Sequence, residues 1–453
     1  MVLRFVCWLL ALSLSAAELP DLVPMRWIST DPASLKLLDG APVNCLLLEA
    51  GQLDAGLIAA ARARNLTLFG VLRQASEAEA AAKAALDGLV VEGDDEAARK
   101  AARATGARVL EMPSRIRVPY SQVAFTGTTE GLWPGLHVEK DGKAKAAPTG
   151  APWIETNIGY LRYLRAAAGP DAVLWMGVRP PEGAAWGPAR YEQAVADAAQ
   201  CGARWVAAMD SALARSLAAS DARALAHWKR LTAALAFYEK HRAYARWTEF
   251  SELALVQDVV SGALYSGGFA DMIVARNIPA GVVPGRRVLA EPFTGVKMVL
   301  NIDPAGLSAE EKEKLLAVAR QGGTLVNGPP GWKVPPGEAG VITMPESLVK
   351  RADEAWREIN SFLGRRNFGV RVFGAPGALT SLKISPDGKR RALHLVNYTD
   401  YPIENISLHF SGKWTKAALL APGAAKTPEV YAIEEGTGID IAKLEGYAIL
   451  VIE

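Results

Sequence analysis

The sequence predicts an α/β protein: a (β/α)8 TIM barrel, then a three-layer α/β unit, then a small antiparallel β-sandwich. Three observations carry that expectation. Between Asp21 and about Asp210, eight short apolar runs alternate with alanine-rich segments of helical period, the pattern of parallel strands buried on both faces and crossed over by helices. From Ser251 to about Pro329 a second composition begins, again alternating strand-like runs with helices. Beyond Leu379, runs of alternating polarity are punctuated by turn signals about every ten residues, which suits a sandwich.

At 453 residues, half of them hydrophobic, the chain exceeds what one core holds and calls for several domains. A net charge of +2 supplies no global field for nucleic acid or an anionic membrane. The first residues, MVLRFVCWLLALSLSAAELP, place Arg4 ahead of an apolar run that ends in Ser15, Ala16 and Ala17. That is the pattern of a secretory signal cleaved after Ala17, and it is too short for a comfortable bilayer span. An uncleaved anchor is the alternative. Export to the periplasm or the extracellular space is therefore expected, with no stable membrane span after cleavage. Of the three cysteines, Cys45 and Cys201 would remain, each in apolar sequence, which makes neither a disulfide framework nor a zinc site.

The eight strand-like runs are VPMRWI, VNCLLLEA, TLFGVL, GLVVEG, RVLEM, QVAFTG, AVLWMGV and ARWVAAMD. Between them LDAGLIAAARARN, SEAEAAAKAALD and DDEAARKAARATG read as helices that close near Gly or Asn. Eight repeats make closure into a barrel the economical arrangement. A doubly wound open sheet is the runner-up, but no GxGxxG or Walker pattern is present, and no cofactor is expected. Residues 213–247 follow as helix, with Trp228, Leu231, Leu235, Tyr238 and Tyr244 on one side, a stripe that reads as core.

The candidate site centres on Gln122 to Asn157, a connection too long to be only a linker. It holds Glu130, Trp133, His137, Glu139, Trp153, Glu155 and Asn157. Indole rings can cover the apolar face of a sugar while carboxylates and an amide hold its hydroxyls. The plain alternative is a loop whose tryptophans cap the core. In a barrel, active groups lie at the carboxyl ends of strands, which adds Glu49, Glu92, Glu111 and Asp210. A glycosidase needs one carboxyl kept protonated and another kept ionised, so Glu92, Glu130 and Glu155 are the candidate catalytic acids. Trp133, His137, Trp153, Asn157, Asp210 and Glu49 are candidates for binding substrate. Strand-end acids are also natural helix caps, and Glu92 begins EGDDEAA. Arg162 and Arg179 could grip the carboxylate or sulfate of an acidic sugar, or simply pair with neighbouring acids. The five histidines are scattered without paired spacing, and no metal site is expected.

The stretches YSGGFADMI, GVKMVLNID, LSAEEKEKL and QGGTLVNGP resemble the flavodoxin-like, glutamine-amidotransferase-like domain that follows the barrel in glycoside hydrolases of the β-galactosidase type, where it is called the trimerisation domain. HLVNYTDYPIENISLHF resembles the sandwiches appended to secreted polysaccharide-degrading enzymes. The resemblance implies a signal peptide over 1–17, a barrel over 18–250, an amidotransferase-like domain over 251–345, and a helix with a β-sandwich over 346–453. Glutaminase chemistry needs a cysteine nucleophile, and this segment has none. An oligomerising role, through a homo-oligomer, is what the resemblance implies instead. It also implies catalytic acids on the fourth and seventh strands. Glu92 ends the fourth, whereas AVLWMGVRPP offers no carboxylate until Glu182. The expected function is glycosidic hydrolysis of an oligo- or polysaccharide by two carboxylates, or else carbohydrate binding or scaffolding by a barrel without catalysis.

Overall fold

The computed structural model describes residues 18–84, 86–136, 154–257, 267–328, 354–355, 357–423 and 425–453. The expected signal segment lies outside them. All eight strand-like runs form strands: β1 (Pro24–Trp27), β2 (Cys45–Leu48), β3 (Thr67–Leu72), β4 (Gly88–Glu92), β5 (Val109–Met112), β6 (Phe125–Thr128) and, after the short antiparallel pair β7 (Gly135–Leu136) and β8 (Ile154–Glu155), β9 (Val173–Met176) and β10 (Arg204–Trp205). Helices α1 (Ala55–Ala63), α2 (Ala78–Lys83), α3 (Glu96–Ala104), α4 (Ile158–Ala168) and α5 (Pro188–Ala199) lie between them, and α6 (Ser211–Ala218) and α7 (Ala222–Ala245) follow. Asp54, Asp95, Asp210 and Asp221 accept backbone N–H bonds at the starts of α1, α3, α6 and α7, satisfying donors that a helix leaves open.

Strands β1 to β5 form one parallel sheet in sequence order, and β10-β9-β6 form a second. The two join along one edge, where Met25 and Ala207 form a parallel bridge and Arg26 N donates to Ala207 O at 2.8 Å. At the other edge β5 and β6 pack together, but no ladder pairs them among the described residues. The closed cylinder expected from eight repeats is therefore not what the hydrogen bonds describe. The β5–β6 connection carries a 3-10 turn, Arg115–Arg117, and no α-helix; the β1–β2 connection is likewise 3-10 only, over Pro32–Leu38, yet those strands do pair. Trp175 fills the interior, edge-on to Phe69 and Phe125 at 6.4 and 5.3 Å.

Further along, β11 (Thr248–Glu249) precedes β12 (Leu253–Gln257), α8 (Gly267–Val274), β13 (Gly281–Pro284), β14 (Met298–Asn301), α9 (Ala309–Arg320) and β15 (Thr324–Asn327). These make a parallel sheet in the order β13-β12-β14-β15. The capping box at Ser308 and Glu311 is present. Strand β13 had no strand-like signal, because GVVP is short and ends in proline. Of the helix expected at the start of 346–453, residues 346–353 and 356 lie outside the described residues, 354–355 and 357–358 are helical, and Ile359–Leu363 forms a π-helical turn.

The remaining strands are β16 (Val370–Phe373), β17 (Ala378–Ile384), β18 (Arg391–Asn397), β19 (Ile403–Ser411), β20 (Ala417–Leu420), β21 (Val430–Ile433), β22 (Gly436–Leu444) and β23 (Tyr447–Ile452). They form two antiparallel sheets, β11-β17-β18-β23-β20 and β16-β19-β22-β21. Alternate residues such as Leu393, Leu395, Ile406 and Leu408 share one core, as the period of two requires. His394 is fully buried on β18, where burial holds it neutral with a pKa lowered to about 3.

Candidate functional site

Five charged side chains meet at the carboxyl ends of the parallel strands. Arg26 lies within β1, Glu49 follows β2, Arg73 follows β3, Glu92 ends β4 and Arg179 follows β9. Glu92 is 5% exposed. One of its oxygens accepts from Arg26 Nη2, and the other accepts from Arg73 Nη2 at 3.0 Å and Arg179 Nη2 at 2.8 Å. Glu49 meets both arms of the Arg73 fork at 2.7 Å and accepts from Arg179 at 3.2 Å. Arg26 Nη1 lies 3.7 Å from Glu49. Gly177 permits this approach, because a Cβ there would meet Met112 at 2.7 Å and Arg26 Nη2 at 3.2 Å.

Burial by itself would raise the Glu92 carboxyl, but the guanidinium of Arg26, with Arg179 and Arg73, outweighs it and holds the pKa below the usual range. Glu92 is therefore an ionised acceptor with both oxygens engaged, which suits neither a proton donor nor a free nucleophile. Three guanidinium groups against two carboxylates leave one positive charge in excess. Nε and Nη1 of Arg26 are buried without a hydrogen-bond partner. Arg73 and Arg179 are 41% and 43% exposed at the side chain and face the rim.

An aromatic group occupies another part of the same strand ends. Trp133, in the loop after β6, packs edge-on against Tyr191 and Trp205 at 5.5 and 5.6 Å and lies 6.5 Å from Trp186. Asp210 accepts from Tyr191 Oη at 2.6 Å and from Ala212 N and Leu213 N at 2.9 and 2.8 Å. His227 lies against Tyr191 at 4.8 Å, and burial lowers its pKa. The indole nitrogens of Trp133 and Trp186 and the Nε2 of His227 are buried with no hydrogen-bond partner, an uncommon condition for buried polar groups.

The sequence candidates divide accordingly. Glu49 and Glu92 come together, but as arginine partners. Asp210 caps α6. Asn157 is spent on structure: its amide donates to Leu132 O and Asp197 at 2.9 and 2.8 Å and accepts from Leu132 N at 2.7 Å. Glu155 pairs in β8 with Gly135. Trp133 is 7% exposed, so its ring is packed among aromatic neighbours rather than laid open as a platform. Glu130 is exposed in the loop after β6; among the described residues only its backbone N–H is bonded, to Thr128 Oγ1 at 3.2 Å. His137, Glu139 and Trp153 lie outside the described residues. Arg162 is not at this rim, since it pairs with Glu249 at 2.8 Å. Glu111 pairs with Arg103.

Sequence reasoning missed Arg26, Arg73, Trp186, Tyr191, Trp205 and His227. Arg26 had a signal: a cation inside the apolar run VPMRWI, where strands buried on both faces rarely carry charge. Among the described residues no group of His, Cys, Asp and Glu could hold a metal, and no helix is long and apolar enough to cross a membrane. Both described cysteines are buried and free, and burial pushes the Cys201 thiol up to about 12.

No family model matches the chain, and no curated protein matches it. Among solved structures it is similar to α-L-fucosidase isoenzyme 2 from Paenibacillus thiaminolyticus, with a TM-score of 0.60 and 12% identity over 95% of this chain and 99% of that one. A rhamnosidase from Novosphingobium sp. PP1Y aligns at a TM-score of 0.44 and 14% identity over 88% of this chain and 39% of its own. At such identities the fucosidase likeness shows a shared fold, and the weaker rhamnosidase alignment adds nothing to it.

Proposed function

We propose that the protein is an exported carbohydrate-active protein that binds an acidic saccharide at the carboxyl-end rim of its parallel strands. The observation that carries this reading is that Glu49 and Glu92 are both consumed by arginines, leaving a net positive rim of Arg73 and Arg179. Guanidinium forks suit the carboxylate of a uronate or a sulfate ester. The likeness to a fucosidase fold supports a saccharide as ligand by analogy alone. Export rests on the apolar segment before Ala17.

The division at 250 and 345, with an amidotransferase-like oligomerising unit of the β-galactosidase type, belongs to the same proposal. It draws support from the β13-β12-β14-β15 order and the lack of cysteine between 251 and 345. Calorimetric titration with uronate-containing, sulfated and neutral oligosaccharides tests the binding reading. Preference for the anionic members is expected, and equal or exclusive binding of neutral ones would remove it.

A second reading, hydrolysis, is favoured by Glu130, whose carboxylate has no hydrogen-bond partner among the described residues. It would supply the proton, and because the oxygens of Glu92 are engaged by Arg26, Arg73 and Arg179, the second carboxylate of such a reaction would have to be another acid. Release of reducing sugar from such a panel, lost in Glu130→Gln, is the result that would replace binding with turnover.

A further inference from the structure

At the opposite end of the parallel strands lies a cavity of about 360 Å³. Gly169 and Pro170, just ahead of β9, form part of its wall, together with Val282 of β13 and Lys383 of β17. It thus sits where the eight-strand region, the second parallel sheet and the antiparallel pair meet. Its volume falls within the range of small-molecule sites, and it combines apolar walls with a few polar groups.

Its charge is lopsided. Arg162, Arg165, Arg246, Arg287 and Lys383 line it against two acids, Glu249 and Glu291. Glu249 is claimed by Arg162 at 2.8 Å and by Lys383. Arg165 spends its hydrogen bonds on the carbonyls of Gly169, Pro170, Ala172 and Gly202 at 2.6 to 3.2 Å. Arg287 donates to the carbonyls of Ala166 and Ala167 at 3.0 and 3.4 Å. Carbonyls satisfy a guanidinium's N–H groups without cancelling its charge, so both cations still project a positive field into the cavity. Arg246 is exposed and makes no side-chain hydrogen bond or ion pair among the described residues. Arg162 is 6% exposed, and its Nε is buried with no hydrogen-bond partner. An unspent donor on a buried guanidinium is a costly thing to leave in a folded protein. Trp247, Phe293 and Val296 supply apolar wall.

We infer that this cavity binds a small amphipathic oxyanion, a carboxylate or phosphate monoester head on an apolar body of about aromatic-ring size. The head lies among Arg162, Arg246 and Arg287, and the body rests against Trp247 and Phe293. The site is separate from the saccharide rim and stands whether or not that rim binds sugar.

The full-length protein is titrated with 4-phenylbutyrate and phenyl phosphate, with 4-phenylbutanol and inorganic phosphate as ligands lacking one half. Calorimetry and tryptophan fluorescence are the readouts. Each complete ligand should saturate and bind at least about tenfold more tightly than either incomplete one. The tighter of the two identifies the head group. Trp247→Phe should remove the fluorescence change while calorimetric binding persists. Arg246→Glu, at an exposed position, should weaken binding at least about tenfold. Val282→Trp, which fills the apolar wall, should abolish it. Absence of saturable binding by both acids, an alcohol that binds as well as they do, or unchanged affinity in both Arg246→Glu and Val282→Trp would overturn the inference.

Discussion

Glu92 and Glu249 are both carboxylates gripped by cations, and they differ in where those cations can go. Glu249, on β11, is held by Arg162 of α4 and Lys383 of β17, whose side chains are 5% and 6% exposed, and by Ser381 Oγ at 2.9 Å. It fastens a sheet to a helix. Glu92 is held by one buried cation, Arg26, and by Arg73 and Arg179, which reach the rim and remain more than two-fifths exposed. The carboxylates do not separate the two clusters, since Glu249 is 18% exposed at the side chain and Glu92 3%; the exposure of their cations does.

The largest expected effect follows from the dry pair. Glu249→Gln leaves Arg162 and Lys383 charged with little water, a change that costs about 3–5 kcal/mol in comparable buried pairs. Urea denaturation at pH 7 measures it. A loss below about 1 kcal/mol would mean that solvent in the adjoining cavity rescues both cations, and the contrast with Glu92 would disappear. Glu92→Gln should cost less, about 2–3 kcal/mol. Arg73 and Arg179 can turn to water, and Arg26 keeps Glu49 at 3.7 Å. If the two substitutions cost the same, exposure of the partner is not what separates the clusters.

Acid should act on both in the same direction. Each carboxyl faces burial that would raise its pKa, and each is held below its ordinary value by its cations. A lowered folded pKa contributes stability that is complete above the unfolded value of about 4.3 and is lost as pH falls through the folded value. Stability measured from pH 7 down to pH 2 should therefore fall steeply below about pH 4. The fall should be shallower in Glu92→Gln and shallowest in Glu92→Gln with Glu249→Gln. An identical acid limb in the double variant would show that other carboxylates carry it.

The same contrast explains what the sequence could and could not disclose. Continuous apolar runs such as CLLL and VLWM become strands buried on both faces, because period and composition are local properties. The ladder missing between β5 and β6 depends on how two strands are brought side by side by the rest of the fold, which no local pattern states. Glu49 and Glu92 stand out as acids after apolar runs, yet their roles are set by Arg73 and Arg179, residues 24 and 130 positions from Glu49. A carboxylate that looks catalytic in sequence is ambiguous until its counter-charges are located. Trp133 was legible as an aromatic in a long loop, but its burial came from Tyr191, Trp205 and Trp186, brought in by later elements.

The smallest expected effect on stability is also the most informative about the rim. Arg179 is 43% exposed and its ion pairs are reached by solvent, so Arg179→Gln should change unfolding free energy by no more than about 0.5–1 kcal/mol. Glu92 would still hold Arg26 and Arg73. Binding of an acidic oligosaccharide should fall more than stability does, by about tenfold, because a guanidinium fork facing an oxyanion is worth about 1.5–3 kcal/mol. The affinity of the unaltered protein should weaken as salt rises from 0.05 to about 0.5 M, where screening shortens the reach of the rim charge, and that slope should flatten in Arg179→Gln. A neutral oligosaccharide should show neither change. If stability falls while affinity and its salt dependence stay put, Arg179 is a second fastening like Lys383 beside Glu249, and the rim loses its claim on an anionic ligand.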